Sequence, residues 1–199
     1  SDALELLGAN MSTGNSLDMS FVRLQAMSGK LQASLEIMAD AVLNPAFPVA
    51  QFTLQKQRRL AQIGQEKARA NALAQRVLPG ILFGKEHAYG KPASGTEKSV
   101  ESITRDDLIA WHGTWFKPGS ATMIVTGDTT MAKTVAALEA TFGRWQTGTA
   151  PAKKIDSLVR TAGKKIYLID KPDAPQSSII AAHVTESQGQ LEDLALEPV

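Results

Sequence analysis

The sequence predicts an α+β fold: a two-layer sandwich in which a mostly antiparallel, mixed sheet packs against helices. Two observations predict it. The element order reads strand, strand, helix, long helix, helix, strand, helix, strand, strand, so helices are grouped rather than alternating regularly with strands. The apolar residues also change period from two to about 3.6 and back along the chain, as separate sheet and helix layers require.

The first 27 residues read as strands. Residues 8–15 are small and polar, with Gly14-Asn15-Ser16 as a turn. Residues 19–27 alternate, with Val22, Leu24 and Ala26 on one face and Arg23 and Gln25 on the other. A helix starts near Ser28, and Leu31, Leu35, Met38, Val42 and Leu43 form its apolar stripe. Asn44-Pro45 stops it, because proline disfavours helical geometry in the residue before it. The longest helical segment spans residues 49–83, with Phe52, Leu60, Ile63, Leu73, Val77, Leu78 and Ile81 at helical spacing. Pro79 and Gly80 are expected to kink or end it.

Residues 84–103 read as loop, punctuated by Gly84, Gly90, Pro92 and Gly95. Thr104 then caps a helix with Asp106 and Asp107 in its first turn. Leu108, Trp111, His112, Trp115 and Phe116 are its expected buried face, and Pro118-Gly119 ends it. Residues 121–126 form a short apolar run suited to an inner strand. A helix carrying Met131, Val135, Leu138 and Phe142 follows, closed by Gly143. Residues 146–163 have linker composition, and two further strands are expected at 165–170 and 177–184. Residues 191–199 read as the first turns of an apolar helix, and both ends look cut from something longer.

The chain has 199 residues, 43% of them hydrophobic and 21% charged, with 21 basic against 20 acidic residues. Those fractions suit a soluble globular protein. No stretch approaches the roughly 18 apolar residues of a membrane span, and no secretory signal opens the sequence. Without cysteine there is no disulfide, no thiolate metal site and no thiol nucleophile.

Histidine chemistry must come from His87, His112 and His183. His112 lies within a Trp/Phe stripe and reads as a packed histidine; His183 ends an apolar strand and reads the same way. His87 sits in a loop, where binding residues concentrate, yet one histidine beside one carboxylate lacks the three or four ligands of a metal site. The long helix carries Lys56, Arg58, Arg59, Lys67, Arg69 and Arg76 against Glu66 alone. A nucleic-acid surface is one reading of that face. No aromatic residues interleave there, so a solvated helix face, or one meeting an acidic partner surface, is the preferred reading. No phosphate-binding glycine loop and no nucleophile elbow is present. From the residues alone, no catalytic, cofactor-binding or metal site is assigned.

The succession of local phrases is more informative. Leu7-Gly8-Ala9-Asn10 is followed by residues 35–47, reading LEIMADAVLNPAF, then by His87-Ala88-Tyr89-Gly90-Lys91-Pro92 and Gly95-Thr96. Ile103-Thr104-Arg105-Asp106-Asp107-Leu108, Trp115-Phe116-Lys117-Pro118, Val125-Thr126-Gly127-Asp128 and Phe142-Gly143-Arg144-Trp145 come next. From about Leu4 onward this order resembles the pitrilysin/insulinase-type zinc metallopeptidase family. The resemblance implies homologous α+β modules arranged as a clam shell around a chamber. One half would carry an inverted zinc motif, His-Xaa-Xaa-Glu-His, with a distal glutamate as third ligand. The zinc-free half would close the chamber over an extended peptide.

No His-Xaa-Xaa-Glu-His occurs in this chain. Glu66 is the carboxylate nearest the distal-ligand position, and it falls slightly late. The resemblance therefore implies a segment of the non-catalytic half, inactive alone, with zinc expected in the catalytic half of the parent or in a partner. Its modules would be residues 1–150, a linker at 151–163, and the start of a following homologous module at 164–199. Expected partners are the catalytic half or a homologous subunit, and peptide substrate in the full enzyme, with no nucleic acid and no membrane span. A periplasmic or secreted parent fits the resemblance. The alternative is a non-catalytic structural subunit related to processing-peptidase or respiratory-complex core proteins.

Overall fold

A computed structural model of the chain describes residues 2–156 and 163–184. The chain divides into two compact units, Ser1–Leu60 with Glu97–Lys154, and Ala61–Thr96 with Ile155–Val199. The class is α+β: a small antiparallel sheet among several helices.

The first unit begins with a helix, α1 (Asp2–Leu6), where strand was expected. Five residues are too few to display a period. What holds this turn is Leu4, which is buried and whose carbonyl accepts hydrogen bonds from the N–H groups of Leu7 and Ala9. The hairpin follows as β1 (Asn10–Asn15) and β2 (Ser20–Gln25), paired antiparallel with Met11 opposite Leu24 and Thr13 opposite Val22. Those four side chains share one face, because side chains alternate along a strand. The turn lies at residues 16–19, two residues later than expected. The Ser16 hydroxyl accepts from the N–H groups of Asp18 and Met19, and the Ser16 N–H donates to the Met19 carbonyl. Gly14 is needed opposite Phe21, since a methyl group there would lie 2.4 Å from the phenyl ring.

A single 3-10 turn (Ser28–Lys30) leads into α2 (Leu31–Leu43), which stops at Asn44 before Pro45. Leu35, Ala39 and Val42 of α2 bury themselves against Phe142. Val22 and Leu24 of the hairpin close over the same cluster. Two polar groups are buried there at low cost: the Ser34 hydroxyl donates to the Lys30 carbonyl, and the Thr141 hydroxyl to the Ala137 carbonyl.

Phe142 ends α7 (Met131–Phe142). The buried face of α7 is Thr141 and Phe142, flanked by the half-buried Ala137 and Leu138; Met131 and Val135 face outward. Before it come α5 (Glu97–Ser102), inside the expected loop, and α6 (Arg105–Trp115). Thr104 and Asp107 form a reciprocal capping box at the start of α6. Its Leu108, His112, Trp115 and Phe116 are half-buried, but Trp111 is exposed. Part of the linker-like stretch is tied to this unit. The Gly119 N–H donates to the Gly148 carbonyl, and the Ala150 N–H donates to the Ser120 hydroxyl.

The expected long helix is two helices, α3 (Val49–Ala68) and α4 (Ala70–Phe83), separated by Arg69 in extended geometry. Pro79 lies within α4 and does not end it. In the second unit, Gly90 packs directly on the backbone, and a Cβ there would sit 1.7 Å from the Gly84 carbonyl oxygen. Only glycine permits that approach.

The strands expected at 121–126, 165–170 and 177–184 are not formed; among the described residues the sheet has two strands. A strand needs a neighbour to pair with its backbone, and an inner strand needs cover on both faces. Neither is supplied here, and Ile124, Ile166, Leu168 and Ile179 are all more than four-fifths exposed. The helix expected at 191–199 lies outside the described residues.

Candidate functional site

The second unit contains the most constrained polar cluster of the described chain. Glu66, near the end of α3, accepts from Arg76 of α4 at 2.7 Å and from the Ser94 hydroxyl at 2.8 Å, both on Oε2. Gln62 donates to Oε1 at 2.9 Å. Arg76 also donates to the Ser94 hydroxyl and to the Gly95 carbonyl, each at 2.6 Å. The Arg76 side chain is 9% exposed and that of Glu66 17%, so the pair is shielded from water. The Arg76 guanidinium, helped by Ser94, holds the Glu66 carboxyl below its ordinary range; partial burial opposes this but does not win. The carboxylate is thus fully committed to partners within this unit.

The histidines are engaged in different ways. His87 Nδ1 accepts the Tyr89 N–H at 3.1 Å, and Nε2 lies 2.9 Å from the Asp156 carbonyl oxygen. A carbonyl only accepts, so Nε2 carries the hydrogen and Nδ1 the occupied lone pair. Neither nitrogen is left with a lone pair for a metal. The ring stacks on Phe83 at 5.7 Å and touches Tyr89 at 5.6 Å. His112 behaves as the sequence suggested: Nε2 donates to the Val42 carbonyl at 2.8 Å, and the ring stacks on Phe116 at 4.7 Å. His183 is exposed on a segment without regular secondary structure instead of being packed at the end of a strand.

The basic residues are partly explained by internal contacts. The Lys56 ammonium donates to the carbonyls of Glu101 and Ile103 at 2.7 and 2.9 Å, capping the C-terminal end of α5 with positive charge. Arg76 serves Glu66 as described above. The Arg105 Nε donates to the Phe47 carbonyl at 2.7 Å and holds Phe47 at φ +43°, a conformation rare for a bulky residue. Phe47, Val42, Trp111 and His112 line an apolar cavity of about 270 Å³ in the first unit.

Among the described residues, no group of three or more carboxylates and histidines could hold a metal ion. Among the described residues no zinc ligand set converges: Glu66 is paired with a guanidinium, both ring nitrogens of His87 have backbone partners, and His112 stands apart with its Nε2 on the Val42 carbonyl. The position of Glu66 was legible in the sequence, but its partner was not, because ten residues on a helix is not a neighbour spacing.

Residues 102–197 match the model of the peptidase M16 inactive domain. Crystallised chains with the same fold include a peptidase M16 inactive domain from Pseudomonas fluorescens, at 27% identity and a TM-score of 0.74. That match covers 79% of this chain and 38% of the other. The chain is thus similar to the pitrilysin/M16 peptidases, with the family match falling on just under half of its length. Pitrilysin itself shares the fold at 14% identity and a TM-score of 0.62, over 80% of this chain and 17% of its own. An uncharacterized zinc protease of Mycobacterium leprae is 26% identical across 89% of this chain and 40% of its own length. The chain thus spans about 40% of the curated relatives it matches. The segment is a non-catalytic module of a peptidase-like protein. No helix among the described residues is long and apolar enough to cross a membrane.

Proposed function

We propose that this M16 module is the zinc-free support of a peptide-degrading or peptide-processing zinc metallopeptidase, closing the chamber and helping to seat an extended peptide. The observation that carries this reading is the match to the inactive domain of the family, in a chain whose best-placed carboxylate is bound to Arg76. Arg76 and Ser94 occupy Oε2 of that carboxylate and Gln62 donates to Oε1, so a metal would compete with partners already in place. The catalytic half would supply the zinc and the activated water; this chain would supply walls and contacts. A two-layer sandwich, completed by strands from neighbouring segments, fits the unpaired and mostly exposed residues 121–126, 165–170 and 177–184. On this reading residues 1–150 form one module, 151–163 a linker, and 164–199 the beginning of the next.

The test is complementation. The chain is mixed with the catalytic half of the parent protein, and cleavage of a quenched-fluorescent peptide library is followed. The chain alone should show no cleavage, the catalytic half alone little, and the mixture at least tenfold more. Equal activity with and without the chain would remove the proposed role.

A further inference from the structure

The helix of residues 61–83 breaks where its sequence favours helix and continues where its sequence does not. The break is at Arg69, within Lys67-Ala68-Arg69-Ala70-Asn71-Ala72. Alanine and arginine are among the strongest helix formers, and no glycine or proline lies at the break. Pro79, a residue that usually stops a helix, sits inside α4. The break is also locally costly. Arg69 provides no side-chain cap, so the N–H groups of the first turn of α4 lie beyond any acceptor within the helix.

Something outside the local sequence must therefore hold the break open, and the Glu66–Arg76 pair with Ser94 and Gly95 spans it. In a continuous helix residues 66 and 76 would be about 15 Å apart along the axis, nearly three turns, and would not share a face. The pair and the uninterrupted helix are thus alternatives. We propose that the α3–α4 junction is a two-state latch: a bent form closed by Glu66, Arg76, Ser94 and Gly95, and a straight form in which residues 61–83 run as one helix. Opening it frees the Ser94–Gly95 segment, which follows the loop bearing His87 and Tyr89.

The chain has no cysteine, so label pairs can be placed without background. Cysteines at Ala61 and Gln75, both exposed, take spin labels for pulsed dipolar distance measurement on the whole 199-residue chain. Arg76→Met should shift the distance distribution toward the roughly 21 Å of a straight helix. Hydrogen exchange supplies a readout that simple destabilisation would move the other way: amides 70–72 should become at least tenfold more protected as they gain helical acceptors. Glu66→Gln, which keeps size and removes the charge, should shift both readouts part-way. Unchanged distances with unchanged or lower protection at 70–72 overturn the latch. Unfolding of the second unit in both variants overturns it as well, because the cluster is then a support and not a latch.

Discussion

The two units are held by different physics. In the first, Leu35, Ala39 and Val42 of α2 meet Phe142 of α7, and the hairpin covers them. In the second, Ile63 is the buried apolar side chain among the described residues. What organises the second is a shielded ion pair, a glycine–backbone contact and three touching rings, Phe83, His87 and Tyr89. Apolar contacts carry no titrating group and do not depend directly on pH. Ion pairs and close backbone approaches depend on exact geometry and, for carboxylates, on pH.

That contrast has a convenient reporter. All three tryptophans, Trp111, Trp115 and Trp145, belong to the first unit, and both tyrosines, Tyr89 and Tyr167, to the second. The largest expected effect is on the apolar side. Phe142→Ala should destabilise the first unit by about 3–5 kcal/mol, seen as an earlier denaturant midpoint in tryptophan fluorescence. A loss under 1 kcal/mol would mean that α2 and α7 are not its core.

Next is the ion pair. Arg76→Met should lower the stability of the second unit by about 1.5–3 kcal/mol, because it leaves a shielded carboxylate without its charged partner. The tryptophan transition should stay in place. The same pair gives the pH response. Glu66 titrates below its ordinary value of 4.5 when folded, so its contribution is whole above that value and fades as pH falls through the lower folded value. Glu66→Gln should flatten the acid limb of stability in that window. Asp107, held low by the Thr104 N–H and then its hydroxyl, titrates in the same direction in the first unit, so the comparison is made against wild type and not against zero.

Two smaller effects sharpen the picture. Thr104→Ala removes the α6 cap and should cost about 1 kcal/mol, read again by tryptophan fluorescence. Gly64→Ala should stabilise by about 0.4–1 kcal/mol, since Gly64 is helical and a methyl group there meets open space. Its effect should appear as slower exchange across α3.

Where a local rule decided the outcome, the sequence was legible. Thr104 and Asp107 announce a helix start, Asn44-Pro45 announces a stop, and the alternation of Val22 and Leu24 places the inner face of the hairpin. Where distant contacts decided, it was not. The break at Arg69 runs against local propensity, and the Glu66–Arg76 spacing has no helical signature. The apolar run at 121–126 has strand character, yet a strand is a relation between two segments and not a property of one. The candidate site followed the same division: the family was legible in the order of short phrases, whereas the engagement of Glu66 and His87 was visible only in three dimensions.

The proposal at the centre of the account is that this module carries no zinc of its own. The direct measurement is zinc content: the purified chain is incubated with excess zinc, passed through a desalting column and analysed by elemental mass spectrometry. Zinc well below one ion per chain is the expected result. One tightly held ion per chain, lost when Glu66 is changed to glutamine, would contradict the account at its centre.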